Sequence, residues 1–216
     1  MDNRWAEAHS DELDACVYGS RLLGREPDLV LHGGGNTSVK TTEVDITGRP
    51  VEVLHVKGSG WDLADIERAG FAPLRLDRLR ELLTVPSLPD SAMMNELRCA
   101  LLDASAPDPS VETLLHAVLP HPAVLHSHAD AVITLTNLAK PLVEEVFGDR
   151  VVVVPYVMPG FALARTCAEV FPRHVGERTI GVVLMNHGLF TFGEDTRQAY
   201  DRHVELVSAA EAHLAR

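Results

Sequence analysis

Apolar residues recur along this chain at two periods, and each change of period marks an element. From Trp5 to about Gly24 they return at helical spacing (Leu13, Cys16, Val17, then Leu22 and Leu23), which predicts an amphipathic helix. A short "LVL" run then meets the glycine-rich turn "HGGGNTS". The stretch "SVKTTEVDITGRPVEVLHV" reads as two strands around a "TGRP" turn, followed by a second glycine turn, "KGSG". Asp62 is placed to cap a short helix, and "FAPLRLDRLRELL" reads as a strand running into a helix. Residues Ala92 to Ala104 and Val111 to Leu119 are helical by period, with the breaker "APDPS" between them. Next come a strand in "AVLHSH" and a helix from near Asp130. The strand "VVVVPYV", the helix "LARTCAEVF" and two strands in "TIGVVLMNHGLFTFG" around Asn186-His187-Gly188 follow. A last helix runs from Thr196 to the end. No repeat, low-complexity segment or linker interrupts this interleaving, which predicts one layered α/β domain over residues 1–216.

Composition narrows the partners. A hydrophobic content of 46% is ample for a core. The formal net charge is -12, from 31 acidic and 19 basic residues. No Lys/Arg cluster is present, so neither nucleic acid nor an anionic membrane surface is an expected partner. An anionic substrate must then be held by local N–H groups and hydroxyls against the overall field. Cys16, Cys99 and Cys167 lie far apart and form neither a CxxC motif nor a disulfide framework. The opening "MDNRWAEAHS" is unlike a signal peptide, and no apolar run approaches the length of a membrane span. The expectation is a reduced, soluble, cytoplasmic protein.

Candidate chemistry begins with "VLHSHADA". In an extended segment alternate side chains share a face, so His126 and His128 point the same way. Such a pair can reach a single metal ion, or be two half-exposed rings without a task; the pair alone leaves both open. His187 is the best third ligand, at a strand end in a glycine turn, where a ring bonded only to backbone is the competing reading. His9, His174, His203 and His213 sit in polar helical contexts and are expected to be solvated. "HGGGNTS" can present successive N–H groups to an anion but lacks the spacing of a nucleotide-binding loop. "KGSG" contributes Lys57, one of three lysines, with Ser59 and Gly60. In "PSVE", Ser110 is a helix N-cap candidate and Glu112 is either a dipole-complementing carboxylate or an acid/base beside a metal.

The elements "GGGNTS", "KGSG", "PSVE", "HSHA" and "NHGLFTFG", in this order across nearly the whole chain, resemble the class II aldolase/adducin head family. The stretches "LVLHGGGNTSVK", "ELRCALLDASAPDPSVETLLHA" and "HADAVITLTN" are similar to the aldolase half of bifunctional rhamnulose-1-phosphate aldolase/short-chain dehydrogenase proteins, and no dehydrogenase half is expected here. The resemblance implies a three-layer α/β/α domain around a central, largely antiparallel sheet, assembled as a fourfold-symmetric homotetramer. It implies a divalent metal, commonly zinc (Zn2+), on His126, His128 and His187, with Glu112 as catalytic acid/base. It matches Gly35, Asn36, Ser59, Gly60 and Ser110 to phosphate-holding positions, which Lys57 joins through its place in "KGSG". Two positions depart from the pattern of fuculose-phosphate aldolases. Val111 stands where a second, phosphate-contacting serine is common, and neither Tyr156 nor Tyr200 matches the tyrosine lent by a neighbouring subunit.

The expected activity is reversible cleavage of a (deoxy)ketose 1-phosphate, a small-molecule sugar phosphate, into dihydroxyacetone phosphate and a short aldehyde. The metal would stabilise the enediolate left after C3–C4 cleavage, and Glu112 would protonate it. A Schiff-base route is disfavoured, because Lys40, Lys57 and Lys140 are the only lysines and Lys57 lies in the anion loop. The same scaffold hosts pentulose-phosphate 4-epimerases, dehydratases and decarboxylases. The epimerases tend to carry Asp at the position of Glu112. An adducin-like interaction module ranks last, since such heads lack the metal ligands.

Overall fold

Alternating apolar positions build a hairpin on one side of the sheet's middle strand. In the computed structural model, β1 (Asn36–Val44) and β2 (Pro50–Lys57) pair antiparallel from Ser38↔Val56 to Val44↔Pro50. The turn between them closes on the Asp45 carboxylate, which accepts the Thr47 and Arg49 amides. β3 (Phe71–Arg75) extends the sheet beside β2. On the other side β1 pairs with β4 (Ala123–Ser127), β4 with β7 (Gly188–Gly193) and β7 with β6 (Gly181–Leu184), all antiparallel. A parallel pairing of β5 (Val151–Val154) with β6 completes the order β3-β2-β1-β4-β7-β6-β5. The structure describes every residue except Ser10 and Ala139, and every other side chain except that of Lys140.

Both faces of the sheet are covered. Ala123 and Leu125 of β4 join one core with α1 (Glu12–Gly24), α5 (Asp130–Leu138), α6 (Lys140–Phe147) and α8 (Thr196–Leu214). Val124, between them, joins the opposite core with α2 (Leu76–Leu82), α3 (Asp90–Cys99), α4 (Thr113–Val118) and α7 (Phe161–His174). The three-layer α/β/α architecture with a largely antiparallel sheet is therefore present. Burying one large apolar side chain contributes about 1.5–3 kcal/mol. A one-residue slip would invert a whole strand, so two apolar cores fix the register from both sides.

Several boundaries differ from the sequence pattern. The first helix starts at Glu12 and not at Trp5, because the Asp11 side chain accepts the Leu13 and Asp14 amides and caps it there. Trp5 instead packs across Tyr18 and Tyr200, and Ser10, inside the expected helix, lies outside the described residues. Asp62 accepts the Ala64 amide in a turn and starts no α-helix; a single 3-10 turn follows at Arg68–Gly70. The helix expected to reach Ala104 ends at Cys99, where the chain turns to run beside β3 through a Leu74↔Leu101 bridge. The next helix covers Thr113–Val118 inside the expected Val111–Leu119. α6 is absent from the sequence expectations. Among the described residues no helix is long and apolar enough to cross a membrane.

Candidate metal centre and acid–base site

β1 and β7 begin, and β2 and β4 end, at one edge of the sheet, where Asn36 lies opposite His126 and Ser127 opposite Leu189. The sequence candidates converge there. His126 is fully buried, and its ring lies flat on Phe190 of β7, centroids 4.0 Å apart and planes at 15°. Its Nδ1 is 3.0 Å from the Leu189 carbonyl oxygen, which can only accept. Nδ1 therefore carries the proton and Nε2 presents its lone pair. His128 follows just beyond the strand, its N–H bonded to the Leu29 carbonyl at 2.9 Å. His187 enters from the β6–β7 turn, and one ring nitrogen from each of the three lies within 4.8 Å of the others.

The Nε2 atoms of His126 and His128 are buried without a hydrogen-bond partner among the described residues. Burial pushes the His126 imidazole well below its usual range and His128 below its own, so both rings are neutral, as ligands must be. Two orphaned nitrogens, a third ring beside them and one tautomer fixed by a carbonyl fit a divalent cation with an open coordination position.

Glu112 stands immediately before α4 with its carboxylate against this group: Oε1 is 3.1 Å from His187 Nε2, and Oε2 is 3.4 Å from His126 Nε2. It does not cap its helix. Burial opposes its charge, but the side chains of His187 and Asn36 outweigh burial and hold the carboxyl well below the usual carboxylate range. Asn36 Nδ2 donates to Glu112 Oε2 at 2.6 Å and reaches Ser110 Oγ at 3.3 Å. Ser110 Oγ also accepts the Glu112 N–H at 3.2 Å, which leaves its own hydroxyl proton free to donate.

The glycine loops meet at the same edge. Gly35 adopts φ 66°, and a Cβ there would lie 2.6 Å from Val30 Cγ1 and 2.9 Å from the His126 carbonyl. Only glycine lets the loop pass so close to β4. Lys57 is buried and its ammonium donates to the Gly33 carbonyl at 3.1 Å, which joins the two loops; burial lowers its pKa from the usual lysine range. Ser59 and Gly60 are exposed, tied to the "APDPS" segment by the Ser59 N–H to the Asp108 carbonyl at 2.7 Å. Lys40 lies elsewhere, its ammonium donating to the carbonyls of Leu119 and His121.

Three histidines depart from expectation, the first being His9, which lies before α1 and not in a helix, its ring packed on Trp5 and Tyr18 with Nε2 buried. His203 is not solvated: it is fully buried between α8 and the sheet, 2.7 Å from Ser127 Oγ and 2.9 Å from Thr191 Oγ1. His116 carried no sequence assignment, yet it is fully buried and 2.5 Å from Asn36 Oδ1. Its place four residues after Glu112 in the helical pattern was the available signal.

The chain is 47% identical to the N-terminal class II aldolase domain of a conserved protein from Thermoplasma acidophilum, with a TM-score of 0.92 over 99% of each chain. It is 40% identical over 204 residues to a Bacillus subtilis protein named as the uncharacterized oxidoreductase YuxG. That match takes in 94% of this chain but spans 29% of the relative's length. The L-fuculose-1-phosphate aldolase of Thermus thermophilus shares the fold at 18% identity, with a TM-score of 0.60 over 94% of this chain and 95% of that one. The family model for the class II aldolase and adducin N-terminal domain matches residues 14–214, and with these likenesses the chain belongs to that family.

Proposed function

We propose that residues 1–216 act as one class II aldolase domain that reversibly cleaves a (deoxy)ketose 1-phosphate into dihydroxyacetone phosphate and a short aldehyde. The observation that carries this reading is the Glu112 carboxylate, buried against three converging histidines with Oε1 lacking a hydrogen-bond partner among the described residues. His126, His128 and His187 would hold a divalent cation, zinc first. When bound, such an ion supplies Lewis acidity toward the oxygens beside the bond that breaks.

Glu112 moves the proton at C3. In cleavage the C3–C4 electron pair stays with the C3 fragment, the C4 hydroxyl gives up its proton to solvent as the aldehyde forms, and the Glu112 carboxylate takes up a proton from solvent and delivers it to C3. Gly35, Lys57, Ser59, Gly60 and Ser110 hold the phosphate, through backbone N–H groups, hydroxyls and one ammonium. Asn36, the remaining candidate, has its amide nitrogen directed to Glu112 and Ser110. The family resemblance extends the reading to a cytoplasmic homotetramer.

The test is incubation of zinc-loaded protein with a set of ketose 1-phosphates and their unphosphorylated counterparts. Dihydroxyacetone phosphate should appear from at least one phosphorylated sugar, and chelation or His126→Ala should abolish it. A pentulose phosphate converted to its epimer without release of dihydroxyacetone phosphate would replace the aldolase with an epimerase.

A further inference from the structure

Glu112 is held from behind by a chain of buried side chains whose donor order the chemistry fixes. The Asn36 amide faces Glu112 with Nδ2, which donates to Oε2 at 2.6 Å. Asn36 Oδ1 then points at His116 Nε2, 2.5 Å away, and an amide oxygen only accepts. His116 must therefore carry its proton on Nε2. Its Nδ1 is left as an acceptor and lies 2.7 Å from Ser38 Oγ, whose hydroxyl must donate. Ser38, His116, Asn36 and Glu112 are all buried, and Phe190 packs against both the His116 and His126 rings.

We propose that Ser38, His116 and Asn36 form a one-directional relay that fixes Oε2 of Glu112 and leaves Oε1 as the oxygen that exchanges a proton with substrate. His116 and Asn36 are positioning residues. The two N–H groups of the Asn36 amide are taken up by Glu112 Oε2 and Ser110 Oγ, so none remains for a phosphate oxygen. Among the described residues Glu112 Oε1 lacks a hydrogen-bond partner, and it is the oxygen nearer His187. The catalytic part of this proposal rests on the aldolase reading; the donor order does not.

Two measurements separate these parts. Long-range 1H–15N correlation spectra of the histidine rings report the tautomer without any turnover. His116 should appear as a neutral ring protonated on Nε2, and Asn36→Ala should shift that N–H resonance. An Nδ1–H tautomer would overturn the relay whatever the protein catalyses. In wild-type protein, solvent deuterium exchange at C3 of dihydroxyacetone phosphate tests the aldolase reading; its absence would sink that reading and leave the relay to the spectra.

Where exchange occurs, His116→Phe and Asn36→Ala should each lower kcat and the exchange rate on the order of 10- to 100-fold, the scale of a misplaced catalytic group. Metal content, KM and the inhibition constant of inorganic phosphate should stay within about twofold of wild type. Should His116→Phe fail to fold, Ser38→Ala removes only the last donor and should reduce kcat several-fold in the same pattern. Weakened phosphate inhibition in Asn36→Ala with kcat unchanged would return Asn36 to the phosphate site and overturn the proposal.

Discussion

The chemistry depends on how few partners a handful of buried atoms have. Among the described residues, Glu112 has one oxygen fixed by Asn36 and one without a hydrogen-bond partner, and His126 has one nitrogen tied to Leu189 and one open. Replacing the carboxylate with an amide of nearly equal size should therefore keep fold and metal but remove the proton carrier. Glu112→Gln is expected to lower kcat by roughly 10²–10⁴-fold, the range of a positioned acid/base, at unchanged metal content by elemental analysis. Near wild-type turnover would reduce Glu112 to a structural carboxylate. The residues of this site were unequally legible in the sequence. "HSH" and "NHG" interrupt apolar runs with polar rings and so announce themselves. His116 sits in "TLLHAV", where one polar ring among apolar neighbours reads as an ordinary helical position. Its meaning appears only when Asn36, 80 positions away on β1, closes on it.

Among the elements, the β6–β7 turn sets how closely His187 approaches the β4 histidines. Asn186 adopts φ 56°, a conformation that asparagine tolerates better than most residues. Gly188 follows at a point where a Cβ would lie 2.4 Å from the Ser127 carbonyl and 3.1 Å from His126 Cε1. Neither obstacle is the flexible end of a side chain, so Gly188→Ala must push β7 away from β4. Expected outcomes are a loss of about 1–3 kcal/mol of stability, the usual cost of overpacking, and substoichiometric metal. A variant with full metal content and an unchanged Tm would show that the turn has slack. The "NHG" tripeptide carried this element in the sequence, as did the "TGRP" hairpin and the β3–α2 join. The segment after Cys99 was hidden, because helical periodicity continues in "RCALLDA" while a bridge from Leu101 to the edge strand takes those residues. The start of α1 was hidden too, since Trp5 fits the apolar period but packs on Tyr18 and Tyr200 outside the helix.

Across the whole molecule, a two-sided sheet places polar rings under both helical layers, which makes the fold itself sensitive to acid. His116 lies on the α4 side and His203 on the α8 side; burial lowers each to about 3 from the usual imidazole value. Both are neutral in the folded protein at pH 5, whereas an unfolded imidazole, titrating near 6.5, is then charged. The unfolded state thus binds more protons between about pH 6.5 and 3, so stability falls as pH drops through that window and levels off below it. Between pH 7.5 and 5 each such histidine accounts for about 2 kcal/mol of lost stability. His203 isolates the effect because it lies behind the sheet from Glu112, bonded to Ser127 and Thr191. His203→Gln keeps a polar side chain there but has no proton to gain. Its stability at pH 7.5 should be lower than wild type, since the amide fits the two hydroxyls less well. Its further loss on going to pH 5 should be smaller by about 2 kcal/mol. Urea denaturation of the two proteins at both pH values, at matched metal content, measures that difference directly. Equal losses in wild type and variant would mean that His203 does not titrate on unfolding as its burial requires, and that the acid sensitivity arises elsewhere.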